Sequence, residues 1–250
     1  MRNAFLGLLL LAPALVAGTI TGSVAVRNTS TVDLTALGTI DWTHYGQQGG
    51  GTINLTNETD SKVGGTAIGT LSLDTPFIAK GYGFSPSTFT WSDGTPNAGP
   101  FNHPYGAVSN DGAQVGGGQT FHLDVAASTT PMKLFLFLGM LQGNGADPNP
   151  TGTLTVTLSD GSTVPLVLNN LGGFFLATIN FVATSPATLN VAWNSPSVLF
   201  GGAGSVIIFD AAALGAGDPV NGGGGGGSVP EPGSLALVAA GIVAIVLKRR

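Results

Sequence analysis

Short runs in which apolar and polar residues alternate fill most of the chain. Gly, Asn, Asp and Pro separate these runs, which is typical of strands joined by turns. In residues 153–158 the aliphatic side chains share one face and the threonines share the other. Asp160 and Gly161 then supply a tight reversal into residues 163–168. This pattern predicts a β-hairpin.

Two further runs alternate in the same way. In residues 121–125, His122 and Asp124 face away from the apolar side. In residues 188–193 the alternation buries Trp193 together with two aliphatic residues. Both runs are therefore predicted to be strands with one buried face.

Residues 133–138 and 205–209 are apolar on both faces, which predicts strands in the middle of the core. No segment between residues 19 and 217 keeps a helical period over three turns. We therefore expect one all-β domain over residues 19–217, an antiparallel β-sandwich of the jelly-roll type.

The N-terminus has the layout of a secretory signal peptide, predicted for residues 1–18. A basic start is followed by the apolar run 4–11 and a stretch of small residues. Cleavage is expected after Ala17 or after Gly18, and residues 23–25 offer a later alternative site. The chain is therefore expected to be exported through the Sec translocon.

A change of composition separates the domain from the C-terminus. Residues 218–228 are rich in glycine and include six consecutive glycines at 222–227. Such a segment is predicted to be a flexible linker.

The last residues, 229–250, combine three parts in a fixed order. Pro230, Glu231 and Pro232 come first, and the apolar run 233–247 follows. The chain then ends in the basic residues Lys248, Arg249 and Arg250.

This arrangement resembles the PEP-CTERM sorting signal of Gram-negative bacteria. The resemblance implies an exported precursor held transiently in the inner membrane, where an exosortase processes it near the Pro-Glu-Pro element. It also implies a final location at the cell surface or in the extracellular matrix.

The apolar run 233–247 would make a helix of roughly 22 Å, shorter than a hydrocarbon core of about 30 Å. The basic end can reach the interface with its long side chains and marks the cytoplasmic side. These features predict a single membrane-spanning helix, with a buried core helix as the alternative.

Composition restricts the classes of function. The chain of 250 residues has 40 Gly, 15 Pro, 8% charged residues and no Cys. The absence of Cys excludes disulfide bonds, thiolate metal sites and a Cys nucleophile. The net charge is −5, and the region between signal and tag is more acidic still, so nucleic acid is not an expected partner.

A second resemblance covers most of the predicted domain. The segments that carry it are residues 32–46, 89–96, 133–135 and 158–162. They are similar to galactose-binding-like jelly-roll modules of bacterial extracellular proteins. The resemblance implies a fold of that type and, with it, contact with carbohydrate.

Aromatic and polar side chains cluster in two of these segments, as a sugar-binding site requires. The candidate glycan-binding residues are Trp42, Tyr45, Trp91 and Asp93, with Asp41 and His44 beside them in sequence. The alternative is that both tryptophans belong to the core or its rim and that Asp93 simply begins a turn.

No catalytic or metal site is predicted. His44, His103 and His122 are far apart in sequence and lack carboxylates at a metal-ligand spacing. The chain has no Gly-x-Ser-x-Gly motif and no phosphate loop, and no cofactor is expected. Asp41 and Asp93 could form a glycosidase pair, but in a chain with many aspartates a chance pairing is the simpler interpretation.

Three functions follow from these patterns. The first is a non-enzymatic surface or matrix protein processed by an exosortase. The second is a carbohydrate-binding module for exopolysaccharide. The third, and the least supported, is a secreted hydrolase.

Overall fold

The computed structural model describes residues 17–28, 30–45, 51–52, 59–73, 78–82, 86–95, 106–110, 119–142, 145–146, 153–167, 173–195 and 205–218. The predicted signal peptide as far as residue 16, the predicted linker beyond residue 218 and the whole of residues 229–250 lie outside these described residues. The predicted membrane helix at 233–247 is therefore not covered. Across the described ranges, no helix has both the length and the apolar character needed to cross a membrane.

The described part consists of strands and one short helix. In its first half these are β1 (Thr19–Val26), β2 (Ser30–Asp33), α1 (Leu34–Leu37), β3 (Asp41–Tyr45), β4 (Gly51–Thr52), β5 (Thr59–Lys62), β6 (Ser72–Leu73), β7 (Ile78–Tyr82), β8 (Ser87–Thr90), β9 (Gly94–Thr95) and β10 (Gly106–Asn110). In its second half they are β11 (Gln119–Ala127), β12 (Met132–Gln142), β13 (Gly145–Ala146), β14 (Thr153–Leu158), β15 (Thr163–Val167), β16 (Phe174–Val182), β17 (Ala187–Ser195) and β18 (Ser205–Ala216).

Two antiparallel sheets contain most of these strands. The large sheet has the order β1-β16-β12-β18-β10-β7-β4. In the same sheet, β3 pairs with β18 and β5, β9 pairs with β5, and β13 pairs with β12. The second sheet has five strands in the order β15-β14-β17-β11-β6. The prediction of an all-β fold with antiparallel sheets is confirmed, while the jelly-roll type stays a prediction.

The main core lies between the two sheets. Alternate residues of β12, β16 and β18 from the large sheet pack against alternate residues of β11, β14 and β17. Trp193 and Phe121 are fully buried there and meet edge to face, with ring centroids 5.5 Å apart. Full burial of side chains of this size supplies the largest stabilising contribution available to a chain without disulfides.

The predicted strands in this core are confirmed. β14 and β15 form the antiparallel hairpin expected from the alternation, and Gly161 in their turn has a φ of +100°. β11 and β17 also pair with each other, with Asp124 exposed on the outer side. The two fully apolar runs became β12 and β18, which are neighbours in the middle of the large sheet.

A second, smaller core covers the outer face of the large sheet. Here β2 and β8 form a two-stranded parallel pair, which departs from the antiparallel prediction. The buried members of this outer cluster are Val32, Leu34, Trp42, Phe89, Trp91, Phe137, Ala211 and Ala213. The parallel pair forms because it brings Val32 and Phe89 side by side over the sheet, where both are buried.

α1 continues directly from β2 and is only one turn long. The Asp33 side chain accepts a hydrogen bond from the Ala36 amide at 3.2 Å, which caps the turn. The Gly38 amide donates to the Leu34 carbonyl at 2.8 Å and closes it. The turn thereby holds Leu34 over the sheet with its side chain fully buried.

The register between β12 and β18 shifts by one residue in the middle of the sheet. Phe137 faces Ala211, whereas Leu138 faces Phe209, so Asp210 is the extra residue of a β-bulge. Phe209 belongs to the main core and Ala211 to the outer cluster. The bulge therefore places one carboxylate inside an otherwise apolar strand.

Candidate functional site

Trp42 and Trp91 are neighbours in the outer cluster. Their ring centroids lie 5.3 Å apart at an interplanar angle of 41°. Trp42 is fully buried and Trp91 is 5% exposed. A Cβ at Gly94 would lie 2.3 Å from the Trp42 ring, so only glycine fits against it. In this structure neither indole has a face open to a sugar.

Tyr45 lies on the other side of the large sheet, in the main core. It is 2% exposed and packs edge to face on Phe209, with ring centroids 4.9 Å apart. Burial raises the pKa of the Tyr45 phenol well above its ordinary value. The sheet thus separates Tyr45 from the two tryptophans, although Trp42 is close to it in sequence.

Asp93 connects α1 to two strands of the large sheet, β3 and β5. Its carboxylate accepts hydrogen bonds from the Thr35 hydroxyl of α1 at 2.7 Å and from the Trp42 indole nitrogen at 2.9 Å, and it pairs with the Lys62 ammonium of β5. Partial burial alone would raise the pKa of Asp93, but the hydrogen bonds from Lys62, Thr35 and Trp42 outweigh it and lower the pKa. Asp93 therefore acts as an ionised anchor for these elements.

Asp41 is a buried carboxylate that organises the loop after β5. It accepts hydrogen bonds from three backbone amides, those of Ala67 at 2.7 Å, Ile68 at 2.8 Å and Trp42 at 2.8 Å. A Cβ at Gly65 would lie 1.9 Å from the same carboxylate. These contacts are those of a structural residue that holds a loop against the sheet.

The histidines do not form a metal site in the described structure. His44 is buried, with Nδ1 3.2 Å from the Asp60 carboxylate and its ring beside Phe89 and Trp91. His122 lies on the outer face of the five-stranded sheet. No group of three or more His, Asp or Glu that could hold a metal occurs within the described ranges, and His103 lies outside them.

The four predicted glycan-binding residues therefore divide into two groups. The structure brings Trp42, Trp91 and Asp93 together, as the sequence clustering suggested, and places Tyr45 elsewhere. All three rings are buried, and for the two tryptophans this agrees with the alternative interpretation, which placed them in the core or at its rim. The packing of the two tryptophans attaches the parallel pair and α1 to the large sheet.

A cleft of about 490 Å³ opens beside β2 and α1. Its floor is the outer face of β12 and β16, with Phe135, Phe137 and Leu176. Its walls come from the end of β1, from β2 and from α1, and they bring polar groups such as Asn28 and Thr31 to the mouth. The Phe135 ring is partly exposed in the cleft. This combination of size, apolar floor and polar rim suits a small organic ligand.

Beneath the cleft lies a buried ion pair that the sequence analysis missed. Arg27 pairs with Asp210, the extra residue of the bulge in β18, and both side chains are almost fully buried. The guanidinium carbon lies 5.2 Å from the Phe174 ring centroid and 5.9 Å from that of Phe137. The sequence did contain a signal for this pair. Arg27 and Asp210 are each the single charged residue beside apolar residues, and a charge that is buried in this way is expected to have a partner of opposite charge.

The comparisons with known proteins identify the end of the chain. Residues 228–250 match the PEP-CTERM protein-sorting motif. This confirms the resemblance found at Pro230, Glu231 and Pro232 and at the basic end. No curated protein sequence matches the chain.

The solved structures that are similar to the chain include a carbohydrate complex and a phage tailspike domain. TmCBM61 in complex with β-1,4-galactotriose is 13% identical, over 58% of this chain and 86% of that one, with a TM-score of 0.34. The enzymatically active domain of tailspike protein 4 from bacteriophage CBA120 is 14% identical, over 60% of this chain and 19% of that one, with a TM-score of 0.36. At these TM-scores the likeness carries no conclusion about this chain.

Proposed function

We propose that the chain is an exported, non-enzymatic bacterial protein that an exosortase processes at its C-terminal tag and that then acts at the cell surface or in the extracellular matrix. The observation that carries this proposal is the PEP-CTERM motif at residues 228–250. This motif indicates an exported precursor that is anchored in the membrane and processed by an exosortase. A Gram-negative host, entry through the Sec translocon and passage through the inner membrane belong to the same proposal.

The described domain supports a structural or binding role over a catalytic one. Two buried carboxylates and one half-buried carboxylate are held by the protein itself. Asp41 is bound by backbone amides, Asp210 by Arg27, and half-buried Asp93 by Thr35, Trp42 and Lys62. Carboxylates held in this way stabilise the fold and hold loops in place. A general acid or base would instead need contact with a substrate.

Replacement of Pro230, Glu231 and Pro232 by alanine tests the sorting proposal. The variant should accumulate as an unprocessed precursor in the inner membrane, because the apolar run still inserts while the recognition element is gone. Cell fractionation and the intact mass of the C-terminus measure this outcome. Pro219→Ala, which removes a proline outside the motif, should be processed normally. Wild-type processing of the triple variant would contradict the proposal.

The second candidate function is carbohydrate binding, and the observation that favours it is the cleft. Partly exposed Phe135 offers a ring to the C–H face of a sugar, and Asn28 and Thr31 offer hydrogen-bonding groups at the mouth. An exopolysaccharide of the host would be the ligand. The cleft replaces the buried tryptophan cluster as the candidate site.

A glycan array with the purified protein, followed by calorimetry, tests this second function. Phe135→Leu keeps most of the apolar volume but removes the ring, and it should weaken binding about two- to tenfold. Val167→Ala, an exposed change on β15 of the five-stranded sheet, is the matched control and should bind normally. Absence of binding on the array, or equal binding by Phe135→Leu, would remove the cleft as a glycan site.

A further inference from the structure

The backbone of Gly18 is held on both sides by the turn between β14 and β15. The Gly18 amide donates to the Asp160 carboxylate at 2.6 Å. The Ser162 hydroxyl donates to the Gly18 carbonyl at 2.7 Å. The other carboxylate oxygen of Asp160 accepts from the Ser162 amide at 3.1 Å, which fixes its orientation. Asp160 and Ser162 thus form a preorganised set of hydrogen-bonding groups for one residue of the chain, which we call the seat of Gly18.

The seat has room only for glycine. A Cβ at position 18 would lie 2.5 Å from the Asp160 carboxylate, 2.7 Å from the Val182 carbonyl and 2.8 Å from the Leu158 side chain. Ala17, one residue earlier, is exposed. Among the described residues, Gly18 is therefore the first that these hydrogen bonds hold in the fold.

This seat joins the edges of the two sheets. β1 is the edge strand of the large sheet, and its first residue, Thr19, pairs with Val182 of β16. β15 is the edge strand of the five-stranded sheet. A Cβ at Gly22 of β1 would lie 2.9 Å from Leu166 of β15, so these two edges lie close together. The contacts of Gly18 close this side of the sandwich.

We propose that the signal peptide is removed between Ala17 and Gly18 and that the freed α-ammonium of Gly18 forms an ion pair with Asp160. The proposal rests on the export described under the proposed function, and it selects the earliest of the three cleavage positions that the sequence allows. Cleavage after Gly18 or at residues 23–25 would remove Gly18, and with it the donor to Asp160 and the acceptor for Ser162. The seat would then be empty.

Hydrolysis of this peptide bond changes the donor and leaves it in place. One water molecule is consumed: Ala17 gains a carboxylate and departs with the signal, while the Gly18 nitrogen becomes an amine and takes up a proton. In the precursor Asp160 accepts from a neutral amide. In the mature protein it accepts from a cation, so Coulomb attraction between the two opposite charges is added to the hydrogen bond. Removal of the signal therefore strengthens the attachment of β1.

The surroundings of the pair contain no other titratable side chain among the adjoining elements. β1, β14, β15 and β16 carry none, and the turn between β14 and β15 contributes Asp160 alone. On β12, the strand beyond β16, Lys133 pairs with Asp218. Titration of the ion pair is thus governed by its own two groups.

The pair predicts a characteristic dependence of stability on pH. An unpaired α-amino group has a pKa of about 7.7 to 8.0, and a carboxylate partner raises it in the folded state. The contribution to stability is therefore complete below about pH 7.7 and is lost as the pH rises through the raised folded-state pKa.

The test uses full-length protein exported by its host. Intact mass and N-terminal sequencing should show that the product begins at Gly18. Between pH 7 and pH 10 the melting temperature of the wild type should fall by about 1 to 3 °C more than that of Asp160→Asn, as expected for an exposed ion pair. Ser162→Ala, which removes the bond to the Gly18 carbonyl but leaves both charges, should keep the wild-type pH dependence.

A product that begins at any other residue would overturn the proposal, as would identical pH dependence of the wild type and Asp160→Asn. The mass of the C-terminus, measured on the same product, reports tag processing separately. A protein that begins at Gly18 with an intact tag would contradict the exosortase proposal alone. A processed tag on a protein that begins elsewhere would contradict only the ion pair.

Discussion

Trp42 shows how one side chain can serve packing in a sequence context that suggests binding. Its ring contacts Trp91 and Gly94, while its indole N–H donates to Asp93. A polar partner for the N–H allows a tryptophan to be buried completely without loss of a hydrogen bond. The ring therefore stabilises the outer cluster, and a sugar would have to displace protein to reach it.

Trp42→Ala should lower the free energy of unfolding by about 3 to 5 kcal/mol, because it leaves a large cavity in the outer cluster. Urea unfolding measures the change. Ile40→Ala removes a side chain that is 40% exposed two residues earlier in the chain, and it should cost far less. An equal, small loss in both variants would show that the Trp42 ring does not stabilise the fold.

The lowered pKa of Asp93 predicts that the protein loses stability as the pH falls into the acid range. Its pKa is lowered in the folded state, so its contribution is present above the unfolded-state pKa of about 3.9 and is lost as the pH falls through the lowered value. Asp93→Asn should be less stable than the wild type at pH 6, and the difference should shrink towards pH 2. Melting temperatures across this range measure it. Ile40→Ala, an exposed change that involves no charge, is the control and should run parallel to the wild type across this range.

The sequence predicted the elements of the main core better than those of the outer cluster. A strict period of two and the Asp160-Gly161 turn determine the β14–β15 hairpin locally, so its existence could be read from one segment. The parallel pairing of β2 with β8 depends on chain segments that are far apart in sequence. No local pattern records such a pairing, and burial of Val32 and Phe89 becomes visible only in the folded structure.

β18 was predicted only in its first half for a related reason. Residues 206–209 are β-branched or aromatic and favour a strand, whereas Ala211, Ala212 and Ala213 do not. The strand nevertheless continues to Ala216, because β12 and β3 pair with it on both sides. Small side chains fit there, since the Trp42 ring lies opposite Ala213 on the same face.

Because Arg27 and Asp210 are both buried, removal of either charge is predicted to lower the stability of the fold strongly. Arg27→Met or Asp210→Asn alone should each lower the free energy of unfolding by about 3 to 5 kcal/mol, because each removes the opposite charge from a buried group. The double variant should lose much less than the sum of the two. Urea unfolding of the four proteins gives the coupling free energy. Strict additivity would show that the two charges do not stabilise each other.

The whole domain should fold without help from covalent links or from a membrane. Residues 19–217 are expected to give a far-ultraviolet circular dichroism spectrum dominated by β-structure and to behave as a monomer in sedimentation. Reducing agent should leave the melting temperature unchanged, since the chain contains no Cys. The same protein without reductant is the control. A spectrum dominated by helix would contradict the fold.

The position of β1 also determines when the chain can fold. Thr19 is at the start of the domain, yet its partner Val182 belongs to β16, close to the end. Pairings between such distant segments form slowly, because a long loop must close first. In the proposed export through the Sec translocon, β1 would therefore stay unpaired until β16 has also crossed the membrane. Closure of this edge of the large sheet would then be a late step of folding.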